Sequence, residues 1–171
     1  MCQNIHDFFM KLEGFSVKEK LLFRRAFGRS LNEADAAALL KFYSILPKEI
    51  PAYDEEKWFF AACVHCLPKE YVENPLPLDQ AIWEYKQISK REETFTESFE
   101  KRVIVILDMR WDDSGMLLNR MSNMIRFLES KNFFIDGRGL LNDLLRWNRE
   151  DKVIQKRWVK NYVYNEEEET C

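Results

Sequence analysis

The chain has 171 residues, of which 46% are hydrophobic and 14% aromatic, and its formal net charge is -3. This length and apolar content can supply a core, which excludes an intrinsically disordered chain. No apolar run approaches the roughly 20 residues that cross a bilayer, and the N-terminus lacks the pattern of a signal peptide, so we expect a cytoplasmic protein. The four scattered cysteines do not predict a disulfide framework.

Apolar residues recur at spacings of three and four along nine segments, and no segment shows sustained strand-type alternation. Ser16 with Glu19 predicts a capping box, and Asp54 and Asp136 are predicted helix caps. All five prolines lie between residues 47 and 77, so the rest of the chain can form helices. The predicted helices cover residues 5–13, 17–28, 34–46, 55–67, 79–89, 96–109, 116–130, 138–147 and 150–163.

A polar segment at residues 90–97, KREETFTE, is predicted to link two helical lobes. The sequence therefore predicts an all-α protein with two small bundles, residues 1–92 and 93–163, in an elongated subunit. An acidic tail, residues 164–171, follows them. Residues 95–162 carry 13 basic and 10 acidic side chains, so the tail masks a basic C-terminal half. Binding of a polyanion depends on the local distribution of charge and not on the net charge, so this half is a candidate surface for binding a polyanion.

The motif CVHC at residues 63–66 invites a zinc interpretation. A structural zinc site needs four ligands, usually in two separated pairs, and the other candidates lie near the chain ends. The apolar run around the motif favours a helix that packs its thiols in a core. We therefore predict no metal site there.

Candidate catalytic residues are few. His6 and His65 are the only histidines, and no glycine-rich phosphate loop or nucleophile elbow is present. Asp112 and Asp113 precede Ser-Gly, a pattern more typical of a turn than of metal ligands. We expect a protein without catalytic residues or cofactor.

Basic side chains form two rows in the predicted helices. In the second helix Lys18, Arg25 and Arg29 fall within roughly 40° of one another at 100° per residue. A charge row is often only a solvated helix face, although arginine suits phosphate because its guanidinium donates in a planar fork. Both interpretations stay open on this evidence. The row of the last helix spans roughly 80° and comprises Arg149, Lys152, Lys156 and Lys160.

Several segments together resemble the small, CasB-family subunit of the type I-E CRISPR surveillance complex, Cascade. They are FRRAFGRS, AALLKFYSILP, KWFFAACVHC, ESFEKRVIVILDMR, LLNRMSNMIRFLESK and IDGRGLLNDLLRWNREDKVIQKRWVKNY. Their order, and the FY-x-x-LP end of the third helix, carry the resemblance, which runs from about residue 8 to 163. It implies an all-helical, non-catalytic subunit, present in two copies, that contacts the guide and target backbone and the displaced strand.

The resemblance also implies partners and site residues. The partners are other Cascade subunits, a second copy of the chain, CRISPR RNA and target DNA, with no membrane and no small-molecule substrate. Protein arginines would hold the hybrid and the displaced strand by backbone charge, while guide pairing reads the sequence. The net charge of -3 departs from the more basic family pattern. The phosphate-binding candidates carried over by position are Arg24, Arg25, Arg102, Arg110 and Arg120, with Arg126, Arg146, Arg149, Lys152 and Lys156 matching more loosely; Arg29 comes from the helical row.

Two alternatives remain. The first is a helical adaptor without a nucleic-acid role, in which the basic rows are solvated faces and the aromatic residues partly form an interface. It predicts no loss of function on charge reversal at Arg25 or Arg102. The second is a metal-dependent enzyme, which predicts stoichiometric metal.

Overall fold

The computed structural model describes residues 2–112 and 114–164 and confirms the all-α prediction. All nine predicted helices are present, with a short 3₁₀ turn at Leu31–Glu33 and, in these residues, no strand. An isolated parallel bridge joins Leu76 to Ile135. None of the helices described is long and apolar enough to span a membrane. The helices are α1 Cys2–Glu13, α2 Val17–Ala26, α3 Ala36–Ile45, α4 Ala52–His65, α5 Leu78–Arg91, α6 Glu97–Asp108, α7 Met116–Glu129, α8 Gly137–Leu144 and α9 Val153–Tyr164.

Two of the predicted caps are confirmed. The Ser16 hydroxyl accepts a hydrogen bond from the backbone N–H of Glu19, whose carboxylate accepts from the Ser16 N–H in return. Asp136 accepts from the N–H groups of Arg138 and Gly139, both at 2.9 Å. Each cap satisfies donors that the first turn of a helix leaves without a partner.

Other boundaries differ from the prediction. Helix α2 ends at Ala26, because the chain turns through Gly28 at a φ of 82°, which glycine adopts without steric cost. Arg29 therefore lies beyond the helix, and its predicted place in the α2 row is wrong. Asp54 is not the cap of α4, since that helix begins at Ala52. Asp54 lies in its first turn and accepts a 2.6 Å bond from Lys57.

The last helix begins later than predicted. Lys152 has a φ of 50°, which ends the preceding turn, and α9 starts at Val153. Asp151 accepts from the Val153 N–H at 3.3 Å, as expected of an acid at a helix start. Arg149 and Lys152 therefore lie outside the helix, and of the predicted row only Lys156 and Lys160 share α9.

The described chain folds as two compact units. The first contains α1–α4 and α8, and the second contains α5–α7 and α9. The chain crosses between the units after residues 73, 135 and 145. This division differs from the predicted boundary at residue 92, because α5 packs against α7 and α9 while α8 packs against α4. The segment between α5 and α6 consequently lies within the second unit, and residues 165–171 of the predicted tail lie outside the described residues.

Helix α4 is the centre of the first unit, where it packs against α2 and α8, and its Phe59 ring contacts Phe42 of α3. Every residue from Lys57 to Val64 is buried, as expected for a helix covered on all sides. Helix α8 comes close enough that a Cβ on Gly137 would lie 2.7 Å from the carbonyl oxygen of Ala61. Only glycine permits that approach.

In the second unit α5 packs against α9 and α7, and α6 packs against α7. Asp79 of α5 is buried, and its Oδ2 accepts a 2.8 Å bond from the Asn161 side chain and a 3.4 Å bond from Arg157. A buried carboxylate needs such partners. These bonds tie α5 to the C-terminal part of α9.

Candidate nucleic-acid interface

The two adjacent arginines of α2 lie in different environments. Arg24 is half-buried, and its Nε and Nη2 donate to the carbonyl oxygens of Cys66 and Pro68 at 2.6 and 2.9 Å. These carbonyls lie at and just beyond the end of α4, where helical partners are missing, so Arg24 stabilises that end. Arg25 is exposed. Arg29 is also exposed, in the turn after the helix, and its charge helps to lower the pKa of Glu33, which hydrogen bonds from Ser30 lower more strongly.

Helices α6 and α7 carry three predicted arginines of the second unit. Arg102 of α6 is exposed, and its guanidinium lies 5.9 Å from the centre of the Phe127 ring on α7. This contact lets an aromatic face support the cation without covering its donors. Arg120 and Arg126 are exposed on α7. They are six residues apart, which is 120° around the helix, so they flank the solvent face on opposite sides.

Arg110 lies in the loop that follows α6, and two neighbouring residues hold that loop. The Trp147 Nε1 donates to the Met109 carbonyl at 3.0 Å. The Asn148 side chain accepts from the Trp111 N–H at 2.8 Å and donates to the Trp111 carbonyl at 2.6 Å. Arg110 is itself exposed, so its backbone is held on both sides while its side chain faces solvent.

Trp147 and Asn148 were not predicted as functional residues. Trp147 is buried, with 1% of its surface exposed. Its Nε1 bond and the paired bonds of Asn148 depend on a loop 37 to 38 residues away in sequence, so no local pattern identifies them. The sequence signal is Asn148, which directly follows the predicted helix 138–147, because asparagine at such a position favours a turn.

The residues around the start of α9 are exposed but differ in their partners. Arg149 forms a paired contact with Asp151, with its Nε and Nη2 at 3.1 and 2.7 Å from the two carboxylate oxygens. The hydrogen bond from Arg149 lowers the pKa of Asp151, so this pair stays ionised. Arg146, Lys152 and Lys156 are exposed. Arg149 therefore has an internal partner that a phosphate would have to displace.

The CVHC segment is confirmed as core packing. Cys63 and Cys66 are each 1% exposed, and burial raises the pKa of both thiols, that of Cys66 to about 12. Such thiols are poor nucleophiles, because the thiolate is the reactive form. His65 lies 3.9 Å from the Glu13 carboxylate, and burial lowers its pKa. In the part of the chain that the structure describes, no three His, Cys, Asp or Glu side chains cluster as metal ligands.

The RWDDSG segment forms the predicted turn. Asp112 accepts hydrogen bonds from the N–H and the hydroxyl of Ser114, and Gly115 follows at a φ of 67°. An aspartate that bonds its own backbone two residues later is the usual chemistry of such a turn. Asp113 lies outside the described residues.

Comparison with known proteins identifies relatives of the whole fold. The chain resembles a Cse2-family CRISPR-associated protein from Thermus thermophilus, at 24% identity and a TM-score of 0.73, over 96% of this chain and 97% of that one. It resembles CasB from M. ruber at 23% identity and a TM-score of 0.73, over 98% of each chain. A chain of a CRISPR RNA-guided surveillance complex matches at 18% identity and a TM-score of 0.66, over 94% of this chain and 92% of that one. At these identities the likeness shows the fold alone.

A search of curated proteins found no match. The sequence profile of the CRISPR-associated protein Cse2 matches residues 22–162, which cover every helix from the end of α2 to most of α9. The match includes all the predicted phosphate-binding residues, and it agrees with the resemblance read from the sequence. The chain belongs to the Cse2 (CasB) family of CRISPR-associated proteins.

Proposed function

We propose that this chain is a non-catalytic small subunit of a type I-E CRISPR RNA-guided surveillance complex in antiviral defence. In this role it stabilises the guide RNA–target DNA hybrid and the displaced strand by sequence-independent contacts to phosphate. Its partners are the other subunits, a second copy of itself, the CRISPR RNA and the target DNA. Membership of the Cse2 family and the fold shared with a chain of a surveillance complex support this proposal.

The observation that carries the phosphate contacts is a set of exposed arginines that lack an internal carboxylate partner. Arg25, Arg110 and Arg120 are exposed, and no ion pair within the described residues holds them. An unpaired guanidinium offers its full donor set to phosphate oxygens. Arg102 is also exposed, and its guanidinium contacts the Phe127 ring and no carboxylate among the ion pairs of the described residues. Arg24 and Arg149, by contrast, have internal partners, so we assign the primary contacts to the exposed set.

The energetics explain why weak contacts suffice. Exchange of a DNA duplex for a guide–target hybrid is nearly balanced in free energy, so backbone contacts can decide its direction. Each exposed, charge-assisted contact contributes on the order of 1 kcal/mol. Three such contacts correspond to roughly a hundredfold change in the equilibrium between open and closed target DNA.

The test replaces Arg25, Arg102 and Arg120 by alanine, singly and together, in the reconstituted complex. We expect mild effects from the single variants and a severe loss of target-strand opening in the triple variant, measured by permanganate footprinting. Native mass spectrometry should show an unchanged subunit composition, because these side chains are exposed. A triple variant that assembles and opens target DNA as fully as the wild type would contradict the phosphate contacts.

A matched control makes the same change of charge elsewhere. Lys48, Lys69 and Lys131 are exposed, and within the described residues no ion pair holds them. The triple replacement of these lysines by alanine should leave target opening close to wild type. Equal losses in the two triple variants would mean that overall charge, and not the arginine positions, controls the exchange.

A helical adaptor without nucleic-acid contacts is the second candidate function. Its support is a group of exposed apolar side chains in the first unit, with Leu40 74% exposed, Tyr53 77% and Tyr71 90%. Exposed apolar groups of this size favour protein contacts. The adaptor predicts that the arginine triple variant keeps full activity and that Leu40→Asp with Tyr53→Asp loses the subunit from the complex.

A further inference from the structure

A groove lies between α6 and α9 in the second unit. It consists of two adjoining cavities of about 370 and 230 Å³, which share Leu107, Val159 and Val163 as lining residues. Ile104 lines the second cavity and is 51% exposed, and the two valines are 45% and 47% exposed. These side chains line the same groove and are more exposed to solvent than core residues are. The floor of the groove is therefore apolar and accessible to a ligand.

The rim of this groove is basic. Lys152, Lys156 and Lys160 line the larger cavity, all three exposed. Asp108 lines the same cavity, and Glu100 lines the smaller one, so acidic groups are present but outnumbered in the larger cavity. In the described part of the chain no ion pair joins the three lysines to a carboxylate. An apolar floor with a basic rim fits an acidic peptide that also carries apolar or uncharged groups.

A segment of this chemistry adjoins the groove. Residues 165–171 read NEEEETC and follow directly on Tyr164, the last residue of α9. Lys160 and Lys156 lie about 6 and 12 Å back along the helix, given a rise of about 1.5 Å per residue. An extended chain advances about 3.3 Å per residue, so the glutamates at 166–169 can reach about 7 to 17 Å from Tyr164. That span is long enough to bring four carboxylates alongside these two lysines.

We propose that the groove between α6 and α9 binds the acidic segment 165–171 of the same chain, with its glutamates paired to Lys156 and Lys160. Each exposed ion pair is individually weak, and direct attachment to α9 raises the effective concentration to the millimolar range. The segment is therefore held at low salt and released as salt rises. A further consequence, which rests on the proposed function, is that the glutamates compete with nucleic-acid phosphate for these lysines.

The first experiment reads the groove directly by methyl NMR at low salt. Glutamates 166–169 are replaced by glutamine, and the Ile104 methyl on α6 is followed because it is remote in sequence from the altered residues. We expect its resonance to shift on replacement, and we expect Lys156→Gln with Lys160→Gln to produce the same shift. The Val17 methyl, 72% exposed on α2 in the first unit, is the control that should not move. An unmoved Ile104 resonance overturns the proposal, as does a shift that grows with protein concentration, which assigns the groove to a second copy.

The second experiment tests the competition with a labelled single-stranded oligonucleotide. The glutamine variant of residues 166–169 should bind about tenfold more tightly at low salt, and the gain should shrink as salt rises. The gain should also disappear when Lys156 and Lys160 are glutamine. The control makes the same charge change at exposed residues elsewhere, namely Glu49, Glu70, Glu73 and Glu92, each to glutamine.

The outcomes separate this inference from the proposed function. An equal gain in the control overturns competition at the lysines, because net charge then explains the affinity. If no variant binds nucleic acid while the Ile104 shift persists, the phosphate contacts fail and the peptide site stands. If nucleic acid binds but the Ile104 resonance is unmoved, the phosphate contacts stand and the peptide site fails.

Discussion

Each of the two units has its own set of stabilising interactions. In the first unit, aromatic rings pack edge to face around α3 and α4: Phe42 lies 6.2 Å from Phe8 and 5.2 Å from Phe59, and Phe8 lies 5.0 Å from Trp58, centre to centre. All four rings are buried. Such packing removes a large apolar area from water and adds a favourable ring geometry. Burial and close packing of aromatic side chains therefore stabilise this unit.

The second unit has aromatic contacts of its own, with the Tyr85 ring 4.7 Å from the Phe99 ring, and it adds hydrogen bonds from side chains to the backbone of its loops. Besides the bonds of Trp147 and Asn148, the buried Gln155 donates to the Trp147 carbonyl at 2.8 Å, and Lys86 donates to the Tyr162 carbonyl at 3.1 Å. Directed bonds fix the position of a loop more narrowly than apolar contact does. The aromatic packing is thus common to both units, and the second adds a polar frame, formed by the side-chain bonds of Trp147, Asn148, Gln155 and Lys86. The bonds of Trp147 and Asn148 hold the loop that carries the exposed Arg110.

The largest expected effect tests the aromatic packing of the first unit. Phe42→Ala removes a buried ring and should lower the free energy of unfolding by about 3–5 kcal/mol. Hydrogen exchange measured by mass spectrometry should show faster exchange in α3 and α4. Tyr53→Ala is the control, since that ring is 77% exposed, and it should change stability by less than about 0.5 kcal/mol. Equal destabilisation by the two variants would break the comparison.

A smaller effect is expected from the polar frame of the second unit. Asn148→Ala removes both bonds to Trp111 and leaves those backbone groups without their partner, which should cost about 1–3 kcal/mol. Backbone hydrogen exchange should be faster in the loop that contains Arg110. Target opening by the complex should fall as much as in Arg110→Ala, because the side chain loses its fixed position. Asn123→Ala, at an exposed position on α7, should change neither quantity. If only stability fell, Asn148 would have a structural role alone.

The smallest effect is a pH dependence of the first unit. Burial lowers the pKa of His65 below its ordinary 6.5, so the folded state favours the neutral ring. The unfolded chain takes up more protons as pH falls below 6.5, and the stability supplied by the neutral ring is lost from there downward. Urea unfolding at about pH 8 and about pH 5.5 should show this decline in the wild type and less of it in His65→Phe. An equal decline in both would assign the effect to other groups.

The helices were predictable because their causes are local. Apolar spacing and caps such as Ser16 with Glu19 act within one or two turns, so a short window of sequence contains them. The ends of α2 and α9 were not predictable in the same way. They depend on positive φ angles at Gly28 and Lys152. Because lysine rarely adopts a positive φ, its presence in the sequence does not predict that conformation.

The candidate site was predictable in its residue types but not in their partners. Arg24 and Arg25 are adjacent and chemically identical, yet one bonds two carbonyls and the other faces solvent. The carbonyls that bind Arg24 lie 42 and 44 residues away, so only the folded chain brings them together. The same reason explains why the frame around Arg110 was missed.

The sequence by itself determined an all-helical chain, the burial of the CVHC thiols, the Cse2-family pattern and a basic C-terminal half followed by four glutamates. The helices, the thiol burial and the charge distribution depend on composition and on spacing within a single helix, whereas the family pattern depends on the order of segments along the chain. Tertiary structure alone decided that α8 joins the first unit and α5 the second, which arginines remain without a partner, and that α6 and α9 leave an open groove. Each of these depends on groups distant in the sequence, and their contacts are set by how the helices pack.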